Sequence, residues 1–551
     1  MKDVIVRQIS SLEKVRSKED IKNDVEKVEL FLGEHYSYQV VLEAEECLYS
    51  EIKLESKLAD YIKVYSVEDS VMDLTWFCLC EPDDDYITLE KGIMPDMLVP
   101  LSAQNNRQMI PQGVKSFWVE ICVPEDCKAG EYDVTVILKS EPTMPKDEPR
   151  EIKSTLKVKI LDKKLPKQEL LYTQWFHTDC ISSVHNVEIY SEEHWAFIEK
   201  YMKTAAEIGI NMILTPVITP PLDTEVGTQR PNVQLVKITK DGDKYTFDFA
   251  LLKRWISLCK KYGIEHFEIA HLFSQWGAGF APNIYVYSNG ELVHEFGWHV
   301  KSQDEKYVSF LKQFLPSLIE FLKAEGVDKN CYFHLSDEPK EEHLPNYEKA
   351  YNIVKPLIGE CGLMDALSHY AFYENGLVEN PVCATDEITP FIEHNTENLW
   401  AYICCGQGNK VANRFLSMPS HRNRILGLQM YKYGIKGFLQ WGYNFYYSQL
   451  SYYEVNPYVT SSCGGTFPSG DAFSVYPTKS EPYKSLRALV FYEALQDILI
   501  CRMLEEKIGK EEVVKLIDSK AKMDVTFADY PRNSSYIPEL IEEMKKMIAD
   551  N

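Results

Sequence analysis

Asp337 and Glu338 stand side by side in the stretch Tyr332-Phe333-His334-Leu335-Ser336-Asp337-Glu338-Pro339, an apolar run that ends in two carboxylates and a proline. Two adjacent carboxyls repel, so one is readily held protonated as an acid while the other stays an anion. Pro339 has no N–H for a sheet ladder and biases Glu338 towards extended backbone, so the run predicts a buried strand that stops where the carboxylates emerge. Inside a strand, neighbouring side chains point to opposite faces; only a broken end lets both serve one cavity. Taken alone, Asp-Glu-Pro is equally the cap of a helix after residue 343 or a solvated turn.

Other apolar runs end in similar company: Trp175, His177 and Asp179; His271, Gln275 and Trp276; His369 and Tyr370; Trp441, Tyr443 and Asn444. A cavity lined by aromatic rings and a few hydrogen-bonding groups suits an uncharged sugar. Most glycosidases place two carboxylates on either side of the scissile bond, about 5 Å apart for retention and about 6.5–9.5 Å for inversion. Neighbours at one strand end cannot readily straddle a sugar. They can work together if the nucleophile belongs to the substrate: a 2-acetamido oxygen attacks the anomeric carbon and closes an oxazoline. Glu338 then protonates the leaving oxygen and later deprotonates water, while Asp337 holds the acetamido N–H. Two alternatives stay open: a distant nucleophile such as Asp365 or Asp386 acting on sugars without the amide, and a glycan-binding protein without activity.

The elements that must position these residues follow from periodicity. Residues 26 to 165 show alternating runs, among them Tyr38–Ala44, Phe117–Val123, Tyr132–Leu138 and Leu156–Ile160, with Pro124 to Gly130 as a hairpin-like connection. Short strands at this spacing predict an antiparallel β-sandwich, more a packing domain than a glycan binder. Lys163–Lys167 reads as a linker. From Leu170 the pattern becomes strand, loop, amphipathic helix, repeated. Strands are expected at Leu170–His177, Met212–Val217, Phe267–Phe273, Tyr332–Pro339, Leu363–Tyr370, Val382–Thr385, Leu399–Cys404 and Gly437–Trp441. Helices are expected at Ser191–Ile208, Ala250–Tyr262 and Asp304–Glu325, and a charged hairpin at Leu235–Phe247 turns on Asp241-Gly242-Asp243. Eight strands with helices between them give the rhythm of a (β/α)8 barrel, whose active sites lie at the C-terminal strand ends. The expected division is a β-sandwich domain at 1–165, a barrel at 166–500 and a helical appendage at 501–551.

A chain of 551 residues calls for more than one core. Its formal charge of −24 argues against nucleic acid or an anionic membrane as partner. Met1–Asp24 has no apolar core of a signal peptide, and no run is long enough to span a bilayer. The 14 cysteines are scattered, as expected of reduced thiols in a cytoplasmic protein. Cys78-Leu-Cys80 lacks a second ligand pair at zinc spacing, and no Gly-rich phosphate loop occurs, so neither metal nor cofactor is expected.

Phe333-His334-Leu335-Ser336-Asp337-Glu338-Pro339 also resembles the catalytic motif of glycoside hydrolase family 123. Further stretches are similar to that family in order: Trp175–Asp179; Thr215–Val217 through Pro220–Thr224, Gln229–Pro231 and Gln234–Val236; Phe267–Gly277; Gly437–Phe445; and Gly470–Pro477. The resemblance implies a β-sandwich before a (β/α)8 barrel and a retaining, substrate-assisted exo-β-N-acetylgalactosaminidase acting on terminal β-GalNAc of glycans. It makes Asp337 the acetamido-orienting residue and Glu338 the acid/base. Tyr370 is the choice for the acetamido carbonyl, with Tyr402 and Tyr443 as rivals, and Trp441 for the platform beneath the sugar. Trp175, His177, His271, Gln275, Trp276, Tyr443 and Asn444 complete the expected substrate contacts, while Arg230 braces its loop. The residues do not separate GalNAc from GlcNAc, nor fix the linkage or oligomeric state.

Overall fold

The computed structural model describes residues 4–142 and 150–550. The chain divides into two compact units, one made of Met1–Gln168, Gly408–Lys432 and Tyr483–Asn551, the other of Glu169–Gln407 and Tyr433–Pro482.

The first unit contains two five-stranded sheets. One runs Val4–Ser10, His35–Ala44, Gly113–Cys122, Ile62–Met72, Gly92–Pro100; the other Lys27–Leu32, Arg150–Lys164, Gly130–Pro142, Leu48–Glu55, Arg107–Ile110. Pairing is antiparallel except between Lys27–Leu32 and Arg150–Lys164. Alternate residues of both sheets, such as Val40, Leu42, Phe117, Val119, Val134, Val136, Leu156 and Val158, form one apolar core, as period-two patterning requires. The Pro124–Gly130 connection is not a hairpin. Gly113–Cys122 already has a strand on each edge, so the chain crosses to the other sheet before Gly130. Lys163 and Lys164 lie inside a strand rather than in a linker, and Leu165 N still bonds Leu32 O at 2.9 Å. Helices Leu486–Ile508, Lys510–Ala521 and Tyr536–Ala549 also belong to this unit, as does most of Ser420–Tyr433.

The second unit is a nearly closed barrel of eight parallel strands: β1 Leu171–Gln174, β2 Met212–Thr215, β3 His266–Ile269, β4 Cys331–Phe333, β5 Gly362–Ala366, β6 Asn380–Ala384, β7 Trp400–Ile403 and β8 Gly437–Gln440. All fall inside or overlap the expected runs. The ladder runs unbroken from β2 through β3 to β8 and on to β1. Between β1 and β2 the seam is stitched by Asn211, whose amide side chain accepts from Tyr172 N at 2.8 Å and donates to Leu170 O at 3.0 Å. The interior holds Trp175, Met212, Leu214, Met364, Val382, Trp400, Tyr402 and Leu439. Gly437 has no side chain because the Trp400 ring covers it; an added Cβ would lie 2.2 Å from that ring. Helices Glu192–Glu207 and Glu305–Ala324 begin on the caps Ser191 and Asp304, each side chain accepting from a first-turn amide. The Lys237–Asp248 hairpin joins a second one, Ile284–Ser288 and Glu291–Phe296, in a four-stranded sheet. The latter turns on Asn289-Gly290, both at positive φ, a strong two-residue hairpin signal.

Candidate active site

Beyond Phe333, strand β4 loses its ladder on one edge. His334 O and Leu335 O still accept from Leu272 N and Phe273 N at 3.1 and 3.0 Å. On the other edge the Asp365 carboxylate, not a neighbouring carbonyl, takes the amides of Leu335 (3.1 Å to each oxygen) and Ser336 (3.3 Å). The regular strand therefore ends sooner than its apolar run suggests. Glu338 then departs from the expected extended form: its φ is 42°, a left-handed conformation that costs a residue with a Cβ roughly 1–2 kcal/mol. Two bonds hold it there, Glu338 N to Ala366 O at 2.9 Å and the Tyr402 hydroxyl to Glu338 Oε1 at 2.8 Å. The turn breaks the alternation of faces that would set Asp337 and Glu338 on opposite sides of a regular strand.

The loop after β3 wraps this strand end. Gln275 Nε2 donates to Asp337 Oδ2 at 2.9 Å, and Trp276 N to Asp337 O at 2.9 Å. Trp276, Gly277 and Ala278 are consecutive left-handed residues with φ of 55°, 114° and 53°. Ser336 Oγ holds them, accepting from Gly277 N (3.2 Å) and Ala278 N (3.0 Å) and donating to Ser274 O (2.8 Å). A Cβ on Gly277 would come within 2.5 Å of the His343 ring. The Trp276 side chain is 45% exposed.

Below the pair lies a buried ionic network. His334 Nε2 meets Glu268 Oε1 at 2.7 Å and its Nδ1 meets Asp365 Oδ1 at 3.0 Å. Burial alone would lower the imidazole pKa, but bonds to Asp365 and Glu268 and their charges raise it to about 9, so His334 is an imidazolium at neutral pH. Glu268 also accepts from Thr173 Oγ1 at 2.7 Å and Trp175 Nε1 at 2.5 Å, and Asp365 from the Tyr347 hydroxyl at 2.5 Å. His271 stacks on His334 with centroids 4.1 Å apart; burial and that charge push its pKa well below the usual value. His271, His334 and Asp365 bring ligand-type atoms within 4.8 Å of one another, yet both His334 nitrogens are committed to carboxylates.

Burial raises the Asp337 carboxyl well above the ordinary range and the Glu338 charge raises it further; the Gln275 amide and His334 partly offset this. Glu338 is also raised, first by burial, then by the Asp386 charge, against the lowering effect of the Tyr402 hydroxyl. The pair therefore holds a proton more readily than an isolated carboxylate.

Asp337, Glu338, Gln275 and the Trp276 backbone are thus brought together. Of the other expected contacts, His271 has both buried ring nitrogens without a hydrogen-bond partner among the described residues, whereas His177, Asn444, Trp441 and Tyr443 carry bonds within the protein. His177 and Asn444 are cross-bonded, His177 N to Asn444 Oδ1 at 2.8 Å and Asn444 Nδ2 to His177 O at 3.0 Å. His177 Nε2 meets Trp441 O at 2.9 Å; burial and Arg230 lower its pKa to about 3, leaving it neutral. Arg230 grips both Asp179 oxygens at 2.7 Å. Trp441 is half-buried, its ring N–H donating to Asp471 Oδ2 at 2.9 Å. Tyr443 is fully buried and donates to Tyr201 O at 2.9 Å. Tyr370 stacks on His394 with centroids 4.5 Å apart. Sequence reasoning did not single out Glu268, Gln407 or Asp471, and assigned no role to His334. Glu268 left one signal, a carboxylate inside the apolar run Phe267–Ala270.

A (β/α)8 barrel with two adjacent carboxylates at the C-terminal end of a strand has the architecture of a barrel glycoside hydrolase. The family described as glycoside hydrolase 123, catalytic domain, matches residues 175–504, and the chain belongs to glycoside hydrolase family 123. A solved family 123 glycoside hydrolase from Clostridium perfringens, whose study concerns glycolipid glycan hydrolysis, is similar at 14% identity with a TM-score of 0.71, covering 100% of this chain and 97% of that one. A family 5 glycoside hydrolase from Bacteroides vulgatus matches at 11% identity with a TM-score of 0.31, covering 62% of this chain and 68% of that one. A search of curated proteins finds no match. Among the described residues no helix is long and apolar enough to cross a membrane.

Proposed function

We propose that the chain is a retaining exo-β-N-acetylgalactosaminidase that uses the substrate's own 2-acetamido group as nucleophile. One observation supports this reading: Glu338, directly after Asp337, sits in a left-handed turn that breaks the alternation of faces a regular strand would impose on the two carboxylates. The rival nucleophile Asp365 is fully buried and receives His334, Tyr347 and the amides of Leu335 and Ser336, which leaves it no lone pair for a sugar.

The proton must be on Glu338 when the glycosidic bond breaks. Burial raises both carboxyls. An acetamido N–H arriving as a donor favours the Asp337 anion and sends the proton to Glu338. The carbonyl oxygen attacks the anomeric carbon, Glu338 protonates the departing oxygen, and the positive charge on the oxazoline nitrogen is met by Asp337. Glu338 then takes a proton from water, which opens the ring with net retention. Tyr402, already bonded to Glu338, is the best-placed tyrosine for the acetamido group, ahead of Tyr370 and Tyr443. Trp441, oriented by Asp471, is the candidate sugar platform, and Trp276 the candidate rim contact. The preference for GalNAc over GlcNAc rests on the family motifs. No disulfide joins the cysteines among the described residues, which supports a reducing, cytoplasmic setting.

The test is hydrolysis of aryl β-GalNAc, β-GlcNAc and β-galactoside, with an N-acetylgalactosamine thiazoline as inhibitor. Turnover confined to the 2-acetamido sugars and inhibition by the thiazoline are expected. Comparable turnover of the galactoside would overturn the mechanism.

A further inference from the structure

The unit that holds the two sheets also holds a cleft of about 790 Å³, within the range of about 300–1,000 Å³ typical of small-molecule sites. Strands Lys27–Leu32, Gly130–Pro142 and Arg150–Lys164 and helices Leu486–Ile508 and Tyr536–Ala549 contribute its walls. Gln496 lines it and is 5% exposed. The His35 backbone N–H donates to Gln496 Oε1 at 2.7 Å, which fixes the orientation of the amide, since only its oxygen can accept. Gln496 Nε2 is then left with no hydrogen-bond partner among the described residues. A buried donor without an acceptor is costly, and an oxygen arriving in the cleft satisfies it.

The buried charges around that amide are spent on one another. Arg424 donates to Glu493 Oε2 at 2.8 Å and to the two Asp497 oxygens at 2.8 and 2.9 Å. Glu493 also accepts from Ser11 Oγ at 2.9 Å and Ser37 N at 3.1 Å. Lys545 bonds Glu34 and donates to Glu29 O at 2.9 Å. Among the more exposed lining residues, Lys157 pairs with Asp133 at 2.9 Å and Lys159 with Glu29 at 2.6 Å. Other acids of the cleft, such as Glu26 and Glu131, are exposed, where water and salt screen them. An ionic ligand would have to break the buried pairs; an uncharged one would not. Tyr36 and Tyr132 add ring surface, on which the CH-rich face of a sugar can pack.

We propose that this cleft is a second carbohydrate site: it takes an uncharged, hydroxyl-rich glycan segment, and Gln496 Nε2 donates to one of its oxygens. The sandwich unit is then a glycan binder as well as a packing domain. The site is separate from the barrel site and does not depend on which nucleophile the reaction there uses.

The test is titration calorimetry of the full chain with neutral tetrasaccharides built of galactose, glucose or mannose, which lack the 2-acetamido group proposed for the barrel reaction. At least one is expected to bind with a stoichiometry of one. Gln496→Glu keeps an oxygen for His35 N and removes the donor, so it weakens that binding about tenfold. Ser535→Trp, at the start of the last helix, puts a large ring into the cleft and abolishes binding. The melting temperature of each variant checks that it is folded. No heat from any tetrasaccharide at millimolar concentration overturns the inference, as does binding that both cleft variants leave unchanged. Binding lost instead in Trp441→Ala puts the sugar in the barrel and overturns it too. Spermine or a sialylated tetrasaccharide bound in the cleft, where the neutral sugars are not, would overturn the charge argument.

Discussion

Replacing Tyr402 by Phe removes one atom whose partner is known. The hydroxyl donates to Glu338 Oε1 at 2.8 Å, while the ring lies 6% exposed in the barrel interior and has no reason to move. A hydrogen bond to a charged group is worth about 1.5–3 kcal/mol, and one pKa unit is about 1.36 kcal/mol. Full loss would thus raise the Glu338 pKa by roughly one to two units. Glu338 is partly exposed, so water takes some of the place of the hydroxyl, and a rise of about one unit is the expectation. Donation stabilises the anion, so its removal favours the acid and the alkaline limb of kcat/KM moves up. The measurement is an initial-rate profile for aryl β-GalNAc across roughly pH 4–9, bracketing the ordinary carboxylate and histidine ranges. A limb that stays put or moves down would refute the assignment of Glu338 as the acid.

Glu338→Gln should cost about 10²–10⁴ in kcat for a sugar leaving group, and far less for a nitrophenolate that needs no protonation; equal losses on both would remove its role as acid. Asp337→Asn should abolish turnover yet raise the melting temperature at neutral pH. A carboxyl whose folded pKa is raised costs stability above its unfolded value near 3.9, so the gain should grow as pH rises from about 4 and vanish below it. His334 has the opposite signature: with a folded pKa of about 9, its contribution is complete below about 6.5 and is lost as pH rises through the folded value. Glu268→Gln removes one of its two anions and lowers the folded value, so the alkaline fall in melting temperature should still begin near 6.5 but be smaller and end at a lower pH; calorimetry across that range checks it.

The barrel itself was legible because it is written locally. Eight short apolar runs, each followed by a loop and an amphipathic stretch, can bury their faces only by lying parallel. Ser191 and Asp304 marked helix starts because a first-turn amide needs an acceptor wherever the helix lies. The Asn289-Gly290 hairpin was equally local, and its dipeptide was there to be read. Asp337 and Glu338 stood out because two carboxylates ended an apolar strand.

What the linear chain left open is what depends on partners far along it. Glu268 and His334 are 66 residues apart, His334 and Asp365 31, Tyr402 and Glu338 64; no periodicity encodes those meetings. Pro339 by itself predicts extended backbone at Glu338, and only the Ala366 carbonyl and the Tyr402 hydroxyl turn it left-handed. His177, Tyr443 and Asn444 read as sugar contacts from their strand-end positions, but a strand end fixes only where a side chain starts. Whether it meets solvent or another backbone is decided by packing, and here Tyr201, His177 and Trp441 supply the partners. Residue types and spacing pointed to the chemistry the chain could perform; only the tertiary structure raised both carboxyls above their ordinary range, because burial and charge act through space and not along the sequence.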